Sequence, residues 1–149
     1  MFRRECIETE FKGCPSITQR LNELVEEIGV QEGLCIVSVP ELTTALCITS
    51  FWDKRGLDDL MDEIDRNFPA RVNYKSQITP FDSAGNVKAA AVGRSLTLLV
   101  HGGKLILGSS QGVVVLEFDG PRERPFEVQI LERDLKLYKT GIKTRYIGM

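Results

Sequence analysis

The stretch Arg94–Arg124, RSLTLLVHGGKLILGSSQGVVVLEFDGPRER, decides the fold. From Ser95 to His101, Leu96, Leu98 and Val100 fall on one side and Ser95, Thr97 and His101 on the other, which is the period of a half-buried strand. His101-Gly102-Gly103-Lys104 supplies adjacent glycines able to take the positive φ of a tight hairpin, so Leu105, Ile106 and Leu107 should run back along that strand. After Gly108-Ser109-Ser110-Gln111-Gly112, the run Val113-Val114-Val115-Leu116 is apolar on both alternations and is expected inside a sheet covered on both faces. Asp119-Gly120-Pro121 ends it.

Ser95–Arg122, SLTLLVHGGKLILGSSQGVVVLEFDGPR, resembles the signature of the YjbQ family of small trimeric proteins, whose members read close to SLTIPIVDGKLLLGTWQGIYLVEFDGPR. The shared serine, the Gly-Lys-Leu turn, LG-x-x-QG and EFDGPR stand in register. Upstream, Ser16 to Val30, Gly33 to Pro40 and Lys88-Ala89-Ala90 with Gly93 align too, so the resemblance runs from about Ser16 to Leu131. It implies an α+β fold of two mainly antiparallel sheets packed with helices, assembling as a homotrimer. One YjbQ-like domain over residues 1–149 is expected, with 133–149 as a C-terminal extension.

Working outward, Arg4 to Lys12 reads as a first strand, broken by Gly13-Cys14-Pro15. Ser16 with Gln19 has the spacing of a capping box, and Ile17, Leu21, Leu24, Val25 and Ile28 form one apolar helical face that stops at Gly29. Leu34–Val39 and Ala45–Phe51 read as strands, expected to be neighbours. Asp53–Phe68 reads as a helix with Leu57, Leu60, Met61 and Ile64 inward and Asp58, Asp59, Asp62, Glu63 and Asp65 on a solvated face. Pro69–Pro80 is a long loop. Asp82 or Ser83 should cap a short helix, Ala84–Val92, ending at Gly93. Phe126, Val128 and Ile130 alternate in a last strand, and the tail beyond Arg133 either adds an edge strand, reaches a neighbouring subunit or frays.

A chain of 149 residues with a formal net charge of −2 and a pI near 5.5 carries no electrostatic footprint for nucleic acid. No run approaches the apolar length of a membrane span, and the polar start is unlike a secretion signal, so a cytoplasmic protein with no membrane partner is expected. Cys6, Cys14, Cys35 and Cys47 show no C-x-x-C spacing and read as buried, inert thiols rather than metal ligands or a nucleophile.

The candidate site is where the chain departs from its relatives. The resemblance implies a histidine after the third strand in P-H-T-T-A, one in the long loop and one in an A-H-x-K-A helix, lining a polar pocket near a subunit interface able to hold a divalent metal. This chain has Glu41 and Asn86 at two of these positions, and no histidine in Arg71–Pro80. Carboxylate and amide do not replace a neutral imidazole for a borderline metal, and no cofactor is expected. The lone His101 reads as an exposed turn residue without an identifiable partner. Ser110 replaces the family tryptophan, while Trp52 lies in a different loop.

Lys88, Gln111, Glu117, Asp119 and Arg122 remain as polar candidates beside Glu41 and Asn86. Lys88, read as lying near a helix start, and Arg122 offer a point charge and a planar fork for a phosphate. Structural roles stay open: Asp119 pairing with Arg122 across a subunit contact, and Gln111 satisfying backbone groups. Two readings follow. One is a diverged homotrimer that binds a small anion or a phosphate-bearing ligand. The other, implied by the resemblance, is a low-level thiamine-phosphate synthase that joins a pyrimidine diphosphate to a thiazole phosphate, releases pyrophosphate and uses Mg2+.

Overall fold

The computed structural model describes residues 1–76 and 79–133. In chain order the elements are β1 (Phe2–Thr9), α1 (Thr18–Ile28), β2 (Glu32–Ser38), β3 (Thr44–Ser50), α2 (Lys54–Asn67), α3 (Pro80–Val92), β4 (Ser95–His101), β5 (Lys104–Leu105), β6 (Gln111–Glu117) and β7 (Arg122–Glu132). They make an α+β fold with two antiparallel sheets, one ordered β1-β7-β2-β4-β5 and the other β3-β6.

The smaller sheet is a middle layer. On one side, Leu46, Val113 and Val115 pack with Leu21, Leu24 and Val25 of α1 and with Cys35, Val37, Leu98, Val100, Phe126, Val128 and Ile130 of the larger sheet. On the other, Ala45, Val114, Leu116 and Phe118 pack with Met61 and Ile64 of α2 and Ala89 of α3. This double burial is the physical reason for the unbroken Val113–Leu116 run. Each large side chain so buried contributes roughly 1.5–3 kcal/mol. The hairpin after β4 turns at Gly102 and Gly103, with φ of 58° and 74°, values that only glycine takes without cost in two successive residues.

Several local expectations give way to tertiary contacts. The two strands expected as neighbours are in different sheets: β2 lies between β7 and β4, whereas β3 pairs with β6. Two apolar strands are needed to fill the middle layer, and Pro40–Thr43 carries the chain across to it. The Ser16 capping box does not form. Backbone bonds from Glu117 to Gly13, Val115 to Pro15 and Ile17 to Val113 tie this segment along β6, so α1 starts at Thr18 with no side-chain cap. Its stop at Gly29, φ 77°, is as expected.

Helix α3 begins at Pro80, earlier than the expected Ala84, because Thr79 is the cap: its hydroxyl accepts from the Asp82 amide at 3.2 Å. Proline in the first helical turn loses no hydrogen bond there. Lys88 is therefore in the body of the helix rather than near its start. Asp65 also leaves the solvated face expected for it and pairs with Lys12 and Lys88. Cys35 is buried and Cys14 and Cys47 are half-buried, with burial pushing all three thiols up to about 11. Cys6, on β1, is exposed rather than buried. Readings of the tail from 134 to 149 lie outside the described residues.

Candidate functional site

The Asp119-Gly120-Pro121 bend carries the chain from the small sheet to the large one, and this crossing builds the candidate site. Glu117 ends β6 and Arg124 lies near the start of β7, so the bend brings their side chains together inside the protein. Arg124 Nε donates to Glu117 at 2.6 Å and Nη2 donates to its other oxygen at 2.8 Å. Thr9 Oγ1 donates to Glu117 at 2.7 Å, and the Asp119 amide donates at 2.9 Å. Glu117 is 0% exposed and Arg124 2%. Burial alone would raise the Glu117 carboxyl, but the donors from Arg124, Thr9 and the Gly120 and Asp119 amides outweigh it and hold the group at about 2.

Above this buried pair lies an open cleft of about 300 Å3, walled by Glu41, Thr43, Asp82, Asn86, Asp119 and Arg122, with Arg124 as its floor. Arg124 Nη2 also donates to Thr43 Oγ1 at 2.8 Å, and Nη1 reaches Glu41 at 3.2 Å. Four of the five guanidinium N–H groups are thus used among the described residues, and the fifth belongs to Nη1, the nitrogen nearest Glu41. Asp82 and Asn86, four residues apart on α3, present one helix face to the cleft. The backbone of α3 comes close here through Gly85, where an added Cβ would stand 3.1 Å from Thr43 Cγ2. Arg122, with a side chain 58% exposed, pairs with Asp119 at 2.6 Å within the same chain.

Of the residues singled out in the sequence, Glu41, Asn86, Asp119 and Arg122 line this one cleft, and Glu117 lies beneath it. Lys88 does not reach it. Two positions along a helix turn the side chain by roughly 200°, so Asn86 and Lys88 project to opposite sides of α3, and Lys88 pairs with Asp65. Gln111 is also elsewhere: its Oε1 accepts from the Gly108 amide at 2.8 Å, closing the turn before β6. His101 is exposed, with Nδ1 2.7 Å from Glu32, a partner its turn sequence does not reveal. Trp52 is exposed and stacks on Phe51 with ring centroids 4.7 Å apart, away from the cleft.

Sequence reasoning kept Glu117 as a polar candidate but missed Arg124 and the pairing of the two at the centre of the site. The available signal was a charged residue in a core-facing register on each strand. Arg124 alternates in step with Phe126, Val128 and Ile130, and Glu117 ends an apolar run. Neither carboxylate nor amide here suits a metal held by imidazole nitrogens, and among the described residues no three His, Cys, Asp or Glu side chains gather as a metal-binding group. No helix among them is long and apolar enough to cross a membrane.

Comparison with known proteins yields a family model described as UPF0047 protein YjbQ-like, matching residues 4–133. A UPF0047 protein of Archaeoglobus fulgidus is 35% identical over 116 residues, covering 77% of this chain and 88% of the relative. The UPF0047 protein YugU of Bacillus subtilis is 28% identical over 77% of this chain and 86% of its own. A solved structure of a YjbQ/UPF0047 family protein from Clostridium acetobutylicum superposes with a TM-score of 0.81 at 31% identity, covering 87% of this chain and 99% of the other. A YbjQ-like protein from Sulfolobus solfataricus gives 0.82 at 26% identity, covering 89% and 97%.

Proposed function

The chain belongs to the YjbQ-like UPF0047 family, and from that premise we propose that it is a diverged member working as a homotrimer that binds a small phosphate-bearing ligand in the Glu41–Asn86–Arg122 cleft. The convergence of these three side chains over the buried Arg124–Glu117 pair carries the reading. Burying an ion pair is a poor way to gain stability, whereas a rigid arginine held through four of its five donors is a good floor for a polar site. Arg122 is the gripping group. Its exposed pair with Asp119 exchanges readily with a phosphate, which matches the planar fork better than a single carboxylate oxygen does. The remaining Nη1 donor of Arg124 and the Asn86 amide offer further hydrogen bonds. Glu41 and Asp82 are placed to accept from donor groups on the rest of the ligand.

The test is calorimetric titration of pyrophosphate into the purified protein, with light scattering on the same samples. Mass should come to about three times 16.7 kDa, and Arg122→Ala should weaken binding by roughly tenfold or more with the trimer intact. Equal binding by wild type and Arg122→Ala would overturn the reading, and a trimer lost in that variant would make Arg122 an interface brace. A parallel assay with both thiamine precursors and Mg2+ addresses the enzyme alternative. Turnover there would replace binding with catalysis as the function.

A further inference from the structure

We infer that the cavity on the other side of α3 is a second binding site, separate from the phosphate cleft and suited to a small aromatic monoanion of the aromatic carboxylate class. Phe81 and Lys88, seven residues apart, share the α3 face opposite Asp82 and Asn86 and line a cavity of about 240 Å3 together with Phe11, Lys12, Asp65 and Phe118. Three phenyl rings and a few convergent charges make the mixture that orients small ligands.

The charges count to a monoanion. Lys12 and Lys88 both pair with the single carboxylate of Asp65, leaving one net positive charge. Asp65 is ionised there: burial would raise its carboxyl, but hydrogen bonds from Lys12 and Lys88 prevail and lower it. Lys88 is 8% exposed, and among the described residues Asp65 is its one hydrogen-bond acceptor, although an ammonium has three N–H donors. A buried ammonium with spare donors in a cavity wall is a costly arrangement that an incoming carboxylate relieves. Each ammonium also stands near a ring: Lys88 Nζ lies 5.8 Å from the Phe118 centroid and Lys12 Nζ 5.9 Å from that of Phe11.

Two further features fit a ligand rather than a bare helix staple. Lys12, with φ 58°, is the non-glycine residue held in the left-handed region among the described residues, a conformation that lysine occupies only when its surroundings impose it. Phe81 is 68% exposed at the cavity rim, an aromatic surface with no stacked partner ring among the described residues. A flat ring seated against Phe81 and Phe11, with its carboxylate on Lys12 and Lys88, would cover the first and use the spare donors of the second.

Benzoate is the probe, followed by ligand-observed NMR titration, with inorganic phosphate and benzyl alcohol as controls. Benzoate should bind at millimolar concentration or below, competing with neither control. Lys12→Asn introduces an amide side chain that tolerates the left-handed region and removes one charge on an exposed turn, so benzoate affinity should fall by roughly tenfold. Asp65→Asn should tighten benzoate several-fold by freeing both ammoniums, where a mere staple between helices would gain nothing. Arg122→Ala should leave benzoate binding unchanged, which keeps this site separable from the phosphate cleft. Absence of benzoate binding, equal binding of benzyl alcohol, no tightening in Asp65→Asn, or loss in Arg122→Ala would each overturn the inference.

Discussion

Helix α3 separates two ionic clusters that differ in how completely they are bonded. On one side, Arg124 and Glu117 share a two-pronged bond, Thr9 and the Asp119 amide donate to the carboxylate, Thr43 and Glu41 accept from the guanidinium so that one Nη1 donor is left, and both side chains are 3% exposed or less. On the other, Lys12 and Lys88 compete for Asp65, which is 25% exposed, and donors are left over. A closed network behaves as framework, because every change removes something already made. An open one is available to a ligand, because a new partner adds to it. The proposed phosphate cleft accordingly would use Arg124 as its floor and Arg122 as its contact, while the proposed second site would use its lysines directly.

The largest effect should come from breaking the closed network. Glu117→Ala strands the buried Arg124 charge and should cost about 3–5 kcal/mol in urea unfolding, with Glu117→Leu plus Arg124→Met recovering most of it. The same pair should govern acid stability. Glu117 is held at about 2, below its ordinary 4.5, so its contribution is complete above pH 4.5 and is lost as pH falls from there toward 2. Melting temperatures measured across that window should drop more steeply in the natural protein than in the double variant, and parallel curves would remove Glu117 from the acid response.

Breaking the open network should cost less. Asp65→Ala is expected to lower stability by about 1–3 kcal/mol, since Lys88 stays buried but Asp65 is partly solvated already. A loss equal to that of Glu117→Ala would erase the contrast between the two clusters. The smallest effect belongs to Asn86→Ala. Asn86 is half-buried and makes no side-chain hydrogen bond among the described residues, so stability should stay within about 0.5 kcal/mol while pyrophosphate affinity falls. Unchanged affinity would narrow the cleft to Arg122 and its carboxylate neighbours.

How much of this was legible depended on the range of the interactions involved. The hairpin at Gly102-Gly103, the Val113–Leu116 run, the α2 face of Leu57, Leu60, Met61 and Ile64, and the stop at Gly29 are local or periodic signals, and each appears in the structure. The Ser16 capping box failed because residues 13–17 find backbone partners on β6, far away in sequence. The early start of α3 was misread because Thr79 and Pro80 were assigned to the loop, although threonine followed by proline is itself a helix-start pattern.

The family, the α+β class, the double burial of β6 and the pairing of a carboxylate at 41 with an amide at 86 as polar candidates were readable from the chain alone, because periodicity, glycine geometry and side-chain chemistry are properties of the residues present. Packing of the elements was needed to show that Glu41, Asn86 and Arg122 share a cleft while Lys88 faces away, and that Arg124 meets Glu117 beneath it. The physical reason is that a helix fixes which of two nearby residues points where, and a strand crossing from one sheet to another brings together charges whose pairing no sequence spacing records.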